Sequence, residues 1–152
     1  MTSPFLDPTG WKILKALQEN ARLTYAELAK QVNLTAPAVA ERARKLEEAG
    51  LISGYHAAVN LEALGYGLIA FVLVGVPYDR EDAFLAFVPT QTEILECHNI
   101  AGPTSFLLKV AVCNKADLND LLGRLIQFGQ TTTLLVLAQN VARRVVGDGC
   151  GA

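Results

Sequence analysis

The chain has 152 residues, 51% apolar, 18% charged and 7% aromatic, with a formal net charge of −2. That length and apolar share suit one ordinary domain or two small ones and exclude global disorder. No run approaches the ~18 apolar residues of a membrane span, and residues 1–7 lack the basic-then-apolar pattern of a secretory signal, so a cytoplasmic location is expected.

The first part reads as three short helices. Asp7 is a good N-cap, Pro8 suits the first helical position, and Leu6 can staple against Trp11. Trp11, Ile13, Leu14 and Leu17 then form an apolar stripe that ends near Asn20. Thr24 to Glu27 has the S/T-x-x-E form of a capping box and starts a second helix, with Leu28, Ala29 and Val32 inward. Asn33-Leu34-Thr35 breaks it, and Thr35 caps a third helix with Pro37 in its first turn. Val39, Ala43 and Leu46 face inward there, and Gly50 supplies the stop. Ile52 to Val59 reads as an extended connector strand, and Asn60 to Gly67 as a linker. These place a domain boundary near 60–65, giving 1–60 and 61–152.

Strand and helix signals alternate beyond it. Leu68 to Val76 is a nearly continuous apolar run, Asp79 to Val88 an amphipathic helix with Ala83, Phe84, Phe87 and Val88 on one side, and Glu93 to Ala101 a strand. Gly102-Pro103 turns into a further strand, Phe106 to Cys113. Leu118, Leu121, Leu122, Leu125 and Ile126 mark the second helix, ended by Gly129, and Thr131 to Val141 reads as the last strand before a polar tail. The order βαββαβ is that of a ferredoxin-like sandwich. The expected fold is α+β: an N-terminal three-helix, winged-type helix-turn-helix domain joined to that sandwich.

Two short helices joined by a three-residue turn, after a packing helix, match the helix-turn-helix that sets its second helix in the DNA major groove. Thr35, Ala36, Pro37 and Ala38 are then the residues nearest base edges, with Glu41, Arg42, Arg44 and Lys45 one turn on. The bland alternative is a solvated charged face on an ordinary three-helix domain. Charge splits accordingly: residues 1–54 carry seven Lys/Arg against six Asp/Glu, and residues 55–152 six against nine. The acidic whole-chain balance therefore hides a basic bunching in the first part.

Catalytic signals are thin. His56 and His98 are the only histidines, and Cys97 beside His98 points to the opposite face of a strand. Cys97, Cys113 and Cys150 are an odd number at wide spacing, against both a disulfide framework and a metal site. No phosphate-cradling or nucleophile-elbow motif occurs, and no cofactor is expected. The turn Gly102-Pro103-Thr104-Ser105 can aim backbone N–H groups at a small carboxylate, its plainer reading being a simple hairpin turn.

The run LDPTGWKILKALQENARLTYAELAKQVNLTAPAVAERARKLEEAGLISGYHAAVN closely resembles the opening of the leucine-responsive regulatory protein/AsnC family of transcriptional regulators. The later stretch ILECHNIAGPTSFLLKV is similar to that family's second signature, a strand–loop–strand ending in LLKV. The resemblance implies a DNA-binding domain, a ferredoxin-like domain sensing amino-acid effectors where dimers meet, and homodimers assembling to octamers. It also implies that Thr131, Thr132 and Thr133 join Gly102, Pro103, Thr104 and Ser105 in the effector site. Two departures stand out: Gly10 replaces a common acidic residue, and the sensing loop, usually G-D-[YF]-D, has Pro103 and Ser105 in place of both acids. The expected function is a sequence-specific, amino-acid-responsive regulator. Alternatives are an effector-independent DNA-wrapping regulator and an enzyme like the haem-pathway decarboxylases of similar architecture, whose chemistry asks for clustered His and Arg.

Overall fold

The structure is a computed structural model that describes residues 4–141 and 143–147. The chain divides into two compact units, one built from the residues up to Ala58 with the segment from Val141, the other Val59–Asn140.

In the helical unit α1 spans Pro8–Glu19, α2 Tyr25–Val32 and α3 Ala36–Glu48. Asp7 caps α1 by accepting from the Gly10 N–H at 2.7 Å. Thr24 and Glu27 form the reciprocal capping box of α2, with bonds of 3.2 and 2.8 Å. Asn33, at φ 54°, ends α2 in the left-handed conformation that a short polar side chain tolerates. Past α3, Gly50 has φ +69° and the Leu51 N–H returns to the Leu46 carbonyl at 2.9 Å, the six-to-one bond of a Schellman stop. The core is Ile13, Ala16, Leu17, Leu28, Ala29, Val39 and Leu46, with Leu6 and Leu34 packed against it. Trp11 and Leu14 are half-buried beside this core rather than in it. Gly10 earns its place by close approach, since a Cβ there would sit 2.0 Å from the Phe5 carbonyl oxygen.

In the sheet unit β1 spans Leu68–Gly75, α4 Glu81–Phe87, β2 Ile94–Asn99, β3 Phe106–Val112, α5 Lys115–Leu125 and β4 Gln130–Leu135. The sheet has order β2-β3-β1-β4, and each neighbouring pair is antiparallel. Ala70, Val72 and Val74 of β1 and Phe106, Leu108 and Val110 of β3 share one face with Phe84 of α4 and with Leu118, Leu121 and Leu125 of α5. Phe84 lies 4.8 Å from Phe106 and 5.5 Å from Phe128, centroid to centroid, in tilted and edge-on geometries that suit aromatic rings.

Four expectations change. The connector strand has no ladder partner, so the described part of the helical unit is helical without a paired wing. The last strand stops at Leu135, opposite Ala70, rather than at Val141; the final bond is Val136 N–H to the Ile69 carbonyl at 2.9 Å, and because β1 begins at Leu68 no residue past Leu137 could find a partner there. The helix expected over 79–88 is α-helical only over Glu81–Phe87, flanked by 3₁₀ turns at Tyr78–Arg80 and Val88–Thr90. Pro89 lacks the N–H that would continue it. Ile126, expected on the buried side of α5, is 64% exposed because the helix has already ended at Leu125.

Candidate functional site

The pair α2 and α3 is joined through Asn33, Leu34 and Thr35, and the Thr35 hydroxyl accepts from the Ala38 N–H at 3.4 Å. Val39, Ala43 and Leu46 are fully buried, which fixes the rotation of α3. The opposite side then carries Pro37, Glu41, Arg44 and Glu48, all exposed and spaced four, three and four residues apart. Thr35 is exposed as well, whereas Ala36, Ala38, Arg42 and Lys45 are half-buried. The first turn of α3 thus offers small, uncharged side chains, and its charges begin one turn later.

Those charges are largely paired with one another. Arg44 forks onto Glu41, Nε to Oε2 at 3.0 Å and Nη2 to Oε1 at 2.7 Å, and its Nη1 bonds Glu48. Lys45 Nζ lies 3.5 Å from Glu41. The Arg44 hydrogen bonds hold the Glu41 carboxyl down at about 2, and the same pairing raises the Arg44 guanidinium. Arg42, grouped by sequence with these residues, goes elsewhere: its Nη1 donates to both carboxylate oxygens of Asp7 at 2.9 Å. It therefore joins α3 to the cap of α1. The Gly10 N–H and then Arg42 keep Asp7 below its ordinary carboxyl value. Sequence reasoning missed Asp7 and Glu48 as partners. The four-residue step from Arg44 to Glu48 is a legible signal, but the 35-residue step from Asp7 to Arg42 offers none.

Gln18 of α1 was missed too. Its amide oxygen accepts from the Val146 N–H at 2.9 Å and its amide nitrogen donates to the Val146 carbonyl at 3.0 Å. A side-chain amide copies the donor and acceptor of a backbone unit, so it can hold an extended strand-like segment in this way. Beside this clamp lies an open cavity of about 610 Å³ lined in part by Trp11, Leu14, Arg22, His56 and Arg143, and by no residue of α3.

In the sheet unit, the turn of 102–105 is closed by the Ile100 N–H to the Ser105 carbonyl at 2.9 Å and by the Ser105 N–H to the Val74 carbonyl at 3.2 Å. The Ser105 hydroxyl donates to the Val76 carbonyl at 3.0 Å. Ser105 therefore spends its N–H and its hydroxyl proton on tying β3 to the end of β1. Gly102 has no left-handed φ, and a Cβ on it would meet open space. Thr131 and Thr133 stand opposite Val74 and Val72 on the helix-bearing face, while Thr132 stands opposite Leu73 on the other. The three threonines do not share a face.

His56 belongs to the helical unit and His98 to the sheet unit. His98 lies 3.2 Å from Glu96, which also takes Lys109 at 2.8 Å. Burial raises the Cys97 thiol and no cation offsets it. Among the described residues no group of His, Cys, Asp and Glu could hold a metal ion, and no helix is long and apolar enough to cross a membrane.

Two family models match in chain order: a winged helix-turn-helix DNA-binding domain over residues 6–53 and an Lrp/AsnC ligand binding domain over residues 69–146. The leucine-responsive regulatory protein of Rhizobium meliloti is 41% identical over 118 residues, 76% of each chain. A transcriptional regulator of Neisseria meningitidis, solved as its L-methionine complex, superposes with a TM-score of 0.86 at 31% identity, over 93% of this chain and 96% of that one. The feast or famine regulatory protein of Mycobacterium tuberculosis, also complexed with L-methionine, gives 0.82 at 30% identity, over 93% and 99%. The helix-turn-helix followed by a four-stranded antiparallel sheet with its helices on one face is thus shared over nearly the full length, and the chain belongs to the Lrp/AsnC family of transcriptional regulators.

Proposed function

We propose that the chain regulates transcription by laying α3 in the major groove, with Thr35, Ala36, Pro37 and Ala38 against base edges and Arg44 and Lys45 reaching phosphates or guanines. The observation that carries this is the uncharged first turn of α3, with Thr35 and Pro37 exposed and Ala36 and Ala38 half-buried, capped by Thr35 and backed by a fully buried stripe. Arg42 acts indirectly, by holding α3 against the cap of α1. The test is selection of bound fragments from the source genome, repeated with Pro37→Glu. A glutamate in the first turn suits the helix dipole and leaves the fold intact, yet it sets a negative charge against the groove. Selection should succeed with the wild-type chain and binding should fall by more than a hundredfold in the variant. Equal binding by both would remove α3 from the interface.

The effector reading follows from the relatives that carry L-methionine. Gly102 and Thr104 take no part in the two backbone bonds that close the loop, so their N–H groups are the candidates for an amino-acid carboxylate. With Pro103 and Ser105 in place of acids and Ser105 committed to Val74 and Val76, the loop offers no carboxylate for the ammonium, which is costly to bury alone. Binding is expected to be weak and to favour neutral side chains. Calorimetry with the twenty amino acids, repeated on Gly102→Trp, tests it. Heat that disappears in the variant supports this site, heat that persists places the effector elsewhere, and no heat from any amino acid supports the effector-independent DNA-wrapping reading.

A homodimer, assembling further toward an octamer, fits the face of the sheet opposite α4 and α5. Phe71, Leu73 and Leu107 lie half-buried there beside Leu134, 51% exposed. A two-fold axis across such a face would also present two copies of α3 to two half-sites.

A further inference from the structure

We propose that Glu41 is a specificity-determining residue: it keeps Arg44 and Lys45 on the protein and so withholds them from DNA that offers Glu41 no partner of its own. The inference rests on α3 being the DNA-reading helix.

All three guanidinium nitrogens of Arg44 are committed to carboxylates on its own helix, two to Glu41 and one to Glu48. The two-bond fork onto Glu41 is the geometry with which a guanidinium grips a phosphate or the edge of guanine. DNA and Glu41 therefore compete for the same edge of Arg44. Lys45 is held by the same carboxylate, at 3.5 Å. The charges of Glu41, Arg44, Lys45 and Glu48 cancel, so this stretch of the helix presents no net attraction to a polyanion. Arg42 does not substitute, because Asp7 occupies it.

Exposed ion pairs of this kind are individually weak, so phosphate oxygens can displace Glu41 from Arg44. The cost falls on what remains. A carboxylate released in a groove faces acceptors at most base-edge positions and is repelled. Where the groove presents the cytosine amino group, the carboxylate gains a donor in exchange. Non-matching DNA thus pays for the freed cations with a stranded anion, whereas matching DNA gives both groups a partner.

Fluorescence anisotropy with a mixed-sequence 30-base-pair duplex, measured across a potassium chloride series, tests the idea on the full chain. Wild type, Glu41→Gln, Arg44→Gln and the double variant are compared, with circular dichroism to establish that each is folded. Glu41→Gln should bind the mixed-sequence duplex about tenfold more tightly and steepen the salt slope by about one, as one further cation becomes free to meet a phosphate. In the Arg44→Gln background the same change should tighten binding less than threefold, because Arg44, with two short bonds to Glu41, carries most of the gain and Lys45, at 3.5 Å, only the remainder. Tightening of less than threefold by Glu41→Gln alone overturns the proposal. So does an equal gain with and without Arg44, which would mark a general effect of lost negative charge. If wild-type binding is abolished by Pro37→Glu yet unchanged by Glu41→Gln, this inference alone fails; if the wild-type chain binds no DNA, the reading of α3 fails and takes this one with it.

Discussion

In the helical unit the apolar residues close on one another. Ile13, Leu28, Val39 and Ala43 retain no exposed surface, and what faces outward on α3 is uncharged at the first turn and self-paired beyond it. In the sheet unit one face is closed in the same way by α4 and α5 around Phe84 and Leu121, but the rest is not. Leu134, opposite Phe71 on the other face, is 51% exposed; Leu135, opposite Ala70 on the helix-bearing side at the end of β4, is 52% exposed, and Leu137 just beyond is 96% exposed. Apolar side chains in that number along an edge strand invite another chain. One unit buries the inward stripes of its three helices and leaves Tyr25 and Tyr55 partly exposed, at 43% and 46%, whereas the other leaves a whole side of its sheet without a helix of its own. In the function proposed above, recognition falls to the first unit and assembly to the uncovered side of the second.

The largest expected effect would break the common ground between the units, their buried cores. Phe84→Ala removes a ring with no exposed surface that touches both Phe106 and Phe128, and should cost about 3–5 kcal/mol in denaturant unfolding. Leu28→Ala in the smaller helical core should cost about 2–5 kcal/mol, toward the lower end if α1 and α3 can close the gap. A negligible loss at Phe84 would mean that the helix-bearing face is not the core of the sheet unit. Next comes the open face. Leu134→Asp sets carboxylates near the proposed two-fold axis and should weaken self-association about a hundredfold, roughly 2.7 kcal/mol, with unchanged far-ultraviolet dichroism. Sedimentation across a micromolar concentration series reads it, and an unaltered oligomer would move the interface elsewhere.

The smallest effect distinguishes the units by acid sensitivity. Asp7 in the helical unit and Glu93 and Glu96 in the sheet unit all have folded values below their unfolded ones. The stability they add is complete above about pH 5, starts to fall as pH drops through the unfolded values of about 4 to 4.5, and is lost as pH passes the lowered folded values, because the unfolded chain binds more protons over that range. Glu93 owes its shift first to Arg124, at 2.6 Å, whereas Asp7 owes its shift first to the Gly10 N–H and only then to Arg42. Acid unfolding should therefore begin at a higher pH in Arg124→Gln, with a lesser shift in Arg42→Gln. The reverse order would show that Arg42, rather than the helix cap, governs Asp7.

Much of this was legible in the chain of residues, because local chemistry acts within a few positions. The Thr24–Glu27 box, the Thr35 cap, the Gly50 stop, the three-residue turn before α3 and the order of the four strands all follow from caps, breakers and period. The face of α3 was legible too, since burying Val39, Ala43 and Leu46 leaves Pro37, Glu41 and Arg44 outward. Tertiary structure alone decided the fate of Arg42, whose partner lies 35 residues away, and of Gln18, whose partner lies 128 away. It alone also ended β4 close to where its neighbour begins. It divided Thr131 and Thr133 from Thr132, and it committed Ser105 to the end of β1. Spacing along a chain reports which side of an element a residue takes, but hydrogen bonds and ion pairs are short-ranged, so a distant partner is chosen only when packing brings two elements together.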